Sequence, residues 1–266
     1  MTTNKLDFKD KNILVGGSNN GIGWASAKQF AERGGNVTLV SRSIDLLKHR
    51  LSLLSNNGNQ HHNFIPLDFS KPNELEVNLK EFILKNVIEY DIVINNTGGP
   101  PGGALENAKT EDLLSAINLH LISFHKILGL TLSGMKKKES GRIINIISTS
   151  VKQPLNGLGV SNTVRGAVAS WAKTLANELG SYNITVNNVL PGATNTGRLK
   201  EIIKSKAEKL NIAEKVVEEQ MASQVPLNRI AEPIEVANAV LFLASSKASY
   251  INGINLPVDG GRTKSL

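Results

Sequence analysis

Short apolar runs of strand length alternate along this chain with longer stretches whose apolar residues recur at helical spacing. That is the pattern of a parallel sheet covered by helices. Residues 12–16 read as a buried strand and 21–33 as the helix after it; Gly34-Gly35 end that helix, and 37–40 form a second strand. A helix over 44–54 leads through an Asn56-Asn57-Gly58 turn to a third strand at 63–67. Pro72 opens the next helix and 91–95 form the fourth strand. Beyond a loop at 97–103, a long helical pattern covers 111–132, and 142–147 form a fifth strand. Val160, Val164, Val168, Trp171 and Leu175 mark another helix, followed by a sixth strand at 184–190. Amphipathic residues 198–219, a helix at 233–244 and a short strand at 254–258 complete the chain. No repeat, low-complexity linker or compositional break interrupts this order, so 1–266 reads as one α/β domain.

Composition narrows the chemistry. At 40% apolar and 20% charged residues the chain packs a core and is not a disordered one. The absence of cysteine excludes disulfides, thiolate metal sites, iron–sulfur ligation and a cysteine nucleophile, and no metal is expected. Thirty basic against 23 acidic residues give a charge of +7, which suits an anionic cofactor, acidic substrates or nucleic acid. The basic residues are scattered, however. The one dense run, Lys136-Lys137-Lys138 before the Ser140-Gly141 turn, reads as a solvated loop, and aromatics at 5% are too sparse for base stacking. No nucleic-acid partner is expected. The first twelve residues are polar, and no later run approaches the roughly eighteen apolar residues of a membrane span. The expected location is cytoplasmic, with no membrane partner.

The first strand runs through Gly16, Gly17, Ser18, Asn19, Asn20, Gly21, Ile22 and Gly23 straight into a helix. Glycines there let the backbone approach a pyrophosphate while the helix start offers free N–H groups. Ser41 and Arg42 end the second strand, where a carboxylate would grip ribose hydroxyls and repel a 2′-phosphate. A hydroxyl beside a guanidinium instead suits a phosphate dianion, so NADP(H) is favoured over NAD(H).

With these features the chain resembles a short-chain dehydrogenase/reductase, most closely the 3-oxoacyl-acyl-carrier-protein reductase branch. The glycine turn matches TGxxxGIG with Gly16 in place of threonine, and Asn95-Asn96-Thr97-Gly98 matches NNAG with Thr97 for alanine. Asp68 matches the acidic residue that contacts adenine, Asn118 the active-site helix asparagine, and the segment Pro191, Gly192, Ala193, Thr194, Asn195, Thr196 the PG segment that wraps the nicotinamide. Residues 229–233, 242–245 and 258–261 match the closing signature. The resemblance implies a Rossmann-like doubly wound sheet of about seven parallel strands, a nicotinamide cofactor and a homotetramer or homodimer. Helices at 73–86 and 111–132 would pair between subunits.

The family's chemistry uses a serine after the fifth strand, then Tyr-x3-Lys on the next helix. Ser148 fills the serine position; thirteen residues on stands Ser161, and four further stands Arg165. Both lie on one side of a helix. A serine hydroxyl is a poorer acid and a shorter side chain than a phenol, and a guanidinium stays charged. Tyr90, Tyr182 and Tyr250 lie on segments that do not reach the site, and His120, two residues from Asn118, points away from that face as a packing or surface residue. The catalytic set expected by resemblance is therefore Asn118, Ser148, Ser161 and Arg165, the last also holding the nicotinamide ribose.

Residues 198–219 carry six Lys/Arg against five Glu around Ile202, Ile203, Leu210, Ile212, Val216 and Val217, as amphipathic helices of a substrate lid do. Loops at 100–103 and 153–157 should border the same cleft. Two readings stay open: an NADP(H)-dependent oxidoreductase acting on a small-molecule carbonyl/alcohol pair with an atypical site, or a nucleotide-binding protein of the same fold with little or no catalysis, serving as sensor or partner subunit.

Overall fold

The computed structural model describes residues 8–56 and 59–265; the polar residues 1–7 and the centre of the expected turn, 57–58, lie outside the described residues. Seven strands in one parallel sheet follow the apolar runs: β1 Asn12–Gly16, β2 Asn36–Ser41, β3 Asn63–Pro66, β4 Ile92–Asn95, β5 Gly141–Ile146, β6 Ile184–Pro191 and β7 Asn255–Val258. Their order is β3-β2-β1-β4-β5-β6-β7. The order reverses between β1 and β4, where an open α/β sheet leaves a ligand crevice beyond the strands' carboxyl ends.

Alternation along each strand sends neighbours to opposite faces. Ile13 and Val15 of β1, Ile92 and Ile94 of β4 and Ile144 and Ile146 of β5 pack with Ala27 and Phe30 of α1 (Gly21–Glu32) and with Val236 and Val240 of α9 (Pro233–Ala244). Leu14, Val93, Ile143 and Val186 face the other way, onto α3 (Pro72–Asn86), α5 (Ser123–Lys137) and α6 (Gly159–Leu179). The remaining helices are α2 (Ile44–Ser52), α4 (Thr110–Ile117), α7 (Gly197–Leu210) and α8 (Glu214–Ser223).

Two expectations need correction, and one is refined. The pattern at 111–132 is helical throughout, but a π-helical turn, Asn118–Ile122, joins α4 to α5 within the continuous run 110–137. The run 110–137 is long and apolar enough by composition to cross a membrane, contrary to the expectation that none approaches that length. Here it is a packing helix: Phe124, Ile127, Leu128 and Met135 are buried against the sheet. Finally, the lysine run is not a loop. Lys136 and Lys137 close α5, where the carbonyl end of the helix favours cations. Lys136 lies 4.4 Å from the centre of the Tyr182 ring, and Lys138 Nζ pairs with Asp91 Oδ1 at 3.1 Å.

Candidate active site

The turn between β1 and α1 is closed by contacts that only glycine permits. Gly17 and Gly21 have φ of +58° and +57°. A Cβ on Gly17 would sit 2.6 Å from Asn96 Nδ2, one on Gly21 2.9 Å from Thr196 Cγ2, and one on Gly23 would strike the Gly17 carbonyl. Asn96 Nδ2 donates to Gly16 O at 3.1 Å and so fastens the turn to the end of β4. Ser18 is fully buried, and its hydroxyl both accepts from Val40 N at 2.8 Å and donates to Val40 O, so that side chain holds the turn to β2. The start of α1 has no side-chain cap and no acidic residue in its first turn. Its free N–H groups suit an anion.

Arg50 of α2 braces the same turn. Its Nε donates to Asn19 O at 2.7 Å, its Nη2 to Asn20 Oδ1 at 3.1 Å, and its guanidinium lies over Trp24. Nothing in the chain's periodicity singled Arg50 out. At the end of β2, Ser41 Oγ is buried with no hydrogen-bond partner among the described residues, and Arg42 is exposed. Burial pushes the Asp68 carboxyl up, but hydrogen bonds from the Ser70 hydroxyl and N–H, with the Arg42 and Lys71 charges, outweigh that and leave its pKa lowered.

Asn95 heads a ladder no sequence motif announced. Its Nδ2 donates to Asn145 Oδ1, Asn145 Nδ2 to Asn188 Oδ1, and Asn188 Nδ2 to Asn255 Oδ1, each at 2.8 Å across paired positions of β4 to β7. The chain of amides ends on Asn95 Oδ1, which is buried and unpartnered. Orphaned atoms at Ser41, Asn19 and Asn95, together with the bare glycine cradle, are what a dinucleotide's polar groups would satisfy. Open space lies beside Gly98. Opposite, the Pro191–Thr196 segment is held by Gly192 N to Val258 O and by Thr194 Oγ1 to Gly192 O, and Thr196 caps α7 through Leu199 N.

Ser148, half-buried, accepts from Ser150 N at 3.1 Å. Ser161 and Arg165 meet on one face of α6, Arg165 Nε donating to Ser161 Oγ at 3.1 Å. Arg165 Nη1 donates to Ile147 O at 2.9 Å and Ile146 O at 3.2 Å, tying the helix to the backbone just before Ser148. That bond fills one lone pair of Ser161 Oγ and leaves the hydroxyl proton free to be donated elsewhere. Burial, then the Arg198 charge, lower the Arg165 pKa to about 10, so it stays cationic at neutral pH.

The tyrosines are engaged elsewhere: Tyr90 is buried on Thr38 Oγ1, Tyr182 lies under Lys136, and Tyr250 is fully exposed. His120 is a buried packing residue set edge-on to Phe124, but it is not remote from the site. The Arg165 charge bears on its ring, which puts it within electrostatic reach of the Ser161–Arg165 pair. Both its ring nitrogens lack partners among the described residues; burial, reinforced by the Arg165 charge, pushes the imidazole down from 6.5 to about 2.

A pH effect follows. Below pH 6.5 the unfolded chain takes up this proton and the folded protein does not, so stability falls as pH drops. The expected slope from one such group is about 1.4 kcal/mol per pH unit. His120→Leu should flatten the loss of urea midpoint between pH 6.5 and 5. Half-buried His62, also lowered, should leave a residual slope, and the lowered carboxylates enter only below their ordinary values near 4. An unchanged profile in the variant would show that His120 is protonated in the folded protein.

The lid expected at 198–219 forms α7 and α8, which share a small core of Leu199, Ile203, Ala207, Val217 and Met221. Arg198 Nη2 donates to Pro100 O at 2.6 Å, latching α7 to the 97–103 loop. The two loops expected to border the cleft are joined by Gly103 N to Gly157 O at 2.8 Å and Gly159 N to Gly103 O at 3.0 Å.

A family profile described as Enoyl-(Acyl carrier protein) reductase matches residues 17–263. The 3-oxoacyl-[acyl-carrier-protein] reductase of Vibrio cholerae serotype O1 is 33% identical to this chain over 258 residues, covering 96% of this chain and 98% of its own. The NADPH-dependent reductase BacG of Bacillus subtilis is 28% identical over 257 residues, covering 96% and 99%. The crystal structure of L-sorbose reductase from Gluconobacter frateurii, complexed with NADPH and L-sorbose, is similar with a TM-score of 0.91 at 28% identity over 98% of this chain and 99% of that one.

Proposed function

This chain belongs to the short-chain dehydrogenase/reductase family, and from that premise we propose that it is an NADPH-dependent reductase interconverting a small-molecule carbonyl and its alcohol, in the manner of the 3-oxoacyl-thioester reductases. The observation that carries the reading is the glycine cradle: three positions that reject a Cβ, set against the uncapped start of α1 and facing Thr196. The backbone of Gly17, Ser18, Asn19, Asn20, Gly21, Ile22 and Gly23 would hold the pyrophosphate, Ser41 and Arg42 the 2′-phosphate, and Asp68 the adenine. Asn95, Gly98, Pro191, Gly192, Thr194 and Thr196 would frame the nicotinamide end. The nicotinamide supplies a hydride when bound.

In this reading Ser161 and Arg165 stand where the family carries its phenol and amine. Ser148 and Ser161 donate hydrogen bonds to a substrate oxygen, and Arg165 stabilises the charge that develops there. Asn118, which opens the π-helical turn packed against α6, would join them, such turns being often found at functional sites. Without a phenol, the proton comes from water or from the substrate itself, and the lost general acid makes the enzyme slow toward ordinary ketones. The alternative of a nucleotide-binding protein without catalysis has no particular observation in its favour. Residues 198–219 serve as the substrate lid.

Subunit pairing through α3 and the α4–α5 pair belongs to the same proposal, as a homotetramer or homodimer. Exposed Val77, Leu84, Val87 and Leu114 on or next to those helices support it. A cytoplasmic setting is part of the same proposal.

The cofactor assignment is tested by titrating NADPH and NADH against protein fluorescence. NADPH should bind more tightly, and Arg42→Asp should weaken it by about 10- to 100-fold, the scale of one lost charge-assisted bond plus repulsion, and reverse the preference. Equal affinities in the wild type would remove the role given to Arg42.

A further inference from the structure

Two guanidinium groups from distant parts of the chain meet at Gly99. A Cβ on that glycine would stand 3.3 Å from Arg198 Nε and 3.7 Å from both Arg198 Nη2 and Arg165 Nη2. Arg165 is 9% exposed, and its Nε and Nη1 are committed to Ser161, Ile146 and Ile147; its Nη2 has no hydrogen-bond partner among the described residues. Arg198 gives Nη2 to Pro100 O and reaches Glu201 across 3.5 Å through Nη1, while its Nε is uncommitted. Glu201 is a largely exposed surface residue, so that pair is screened by water.

Among the described residues no carboxylate pairs with Arg165, whose bonds go to Ser161, Ile146 and Ile147. The charge it feels is that of Arg198, which works with burial to lower its pKa. His120, the other titratable group against it, is neutral. Like charges brought together in a partly desolvated wall repel, and a buried cation without a counter-ion is unfavourable. What relieves both is an oxyanion taken between the two forks, a geometry guanidinium donors favour.

Resting on the reductase reading above, we propose that the substrate carries a carboxylate held between Arg165 Nη2 and Arg198 Nε, so that the enzyme acts on oxo acids rather than on neutral ketones. The carboxylate would bind beside Ser161, which shares Arg165. The lid then takes part in recognition, since Arg198 sits in the first turn of α7. The same oxyanion chemistry could come from the cofactor's pyrophosphate, because Arg198 lies two residues beyond Thr196. The cradle at Gly17–Gly23, with Arg50 bracing it, already provides for that group, and the substrate is therefore the preferred source.

The test uses the full-length protein loaded with NADPH, after NADPH affinity has been measured alone. The probes are 4-oxopentanoate and 2-oxo-3-phenylpropanoate, each beside its methyl ester. Binding is read from the change in bound NADPH fluorescence and turnover from NADPH oxidation. Each acid should bind about tenfold or more tightly than its ester, the scale of a charge-assisted pair. In Arg198→Gln, which keeps an amide donor for Pro100 O, that ratio should fall toward one. Equal binding of acids and esters would overturn the proposal, as would failure of every probe to bind to an NADPH-loaded protein. If Arg198→Gln weakens NADPH while leaving the acid-to-ester ratio intact, the anion is the cofactor's and the proposal falls. Reduction of neutral ketones with acids ignored would overturn it and leave the reductase reading standing; failure to bind NADPH would remove the reductase reading itself.

Discussion

Installing tyrosine at 161 together with lysine at 165 is expected to raise NADPH-dependent reduction of uncharged ketones by roughly two to four orders of magnitude, the usual contribution of a positioned general acid. Ser161 and Arg165 already share the side of α6 that faces the end of β5, so the new pair inherits its placement. A phenol extends well beyond a serine hydroxyl, and a neighbouring ammonium lowers its pKa from about 10 toward working pH. Lysine at 165 can keep one of the two carbonyl bonds to Ile146 or Ile147 that Arg165 makes, which limits the loss of stability. Steady-state NADPH oxidation over a panel of neutral ketones is the measurement, with thermal melting to confirm folding. A folded double variant that binds NADPH yet gains nothing would show that the substrate oxygen is not held at this helix face. The Ser161/Arg165 reading would then be wrong.

The second large effect is at the cradle. Gly23→Ala should abolish measurable NADPH binding, a loss of about 100-fold or more, because its methyl group strikes Gly17 O and comes 2.8 Å from Asn96 Nδ2 and Gly16 O. Two of these three atoms are backbone and cannot rotate aside, so the turn itself must shift and its N–H groups lose their aim. Overpacking of this kind costs about 1–3 kcal/mol of stability on its own. Binding of NADPH should raise the melting temperature of the wild type and leave that of the variant unmoved. A variant that is stabilised by NADPH as strongly as the parent would show that the cofactor does not lie on this turn.

The helices and strands of the sheet were legible because their periodicities are local and strong. Residues 12–16 and 233–244 fall where their apolar patterns put them, and strand ends elsewhere move by a residue or two. The helix over 111–132 was legible, but its π-helical turn was not, because one widened turn leaves the apolar composition unchanged while rotating everything beyond it. Lys136 and Lys137 looked like a loop because a charge run carries no period, although cations are what a helix end prefers.

By itself the sequence determined the alternation of strands and helices, the glycine turn at the first helix and the serine and guanidinium one helical turn apart, since each depends on residues within a few positions of one another. Only the tertiary structure decided that Arg198 joins Arg165 at Gly99, that Arg50 braces the cradle, and that four asparagines on four strands form one ladder. Those meetings depend on how parallel strands register and how helices cross over them, which places distant segments together at the carboxyl end of the sheet and leaves no trace in local spacing.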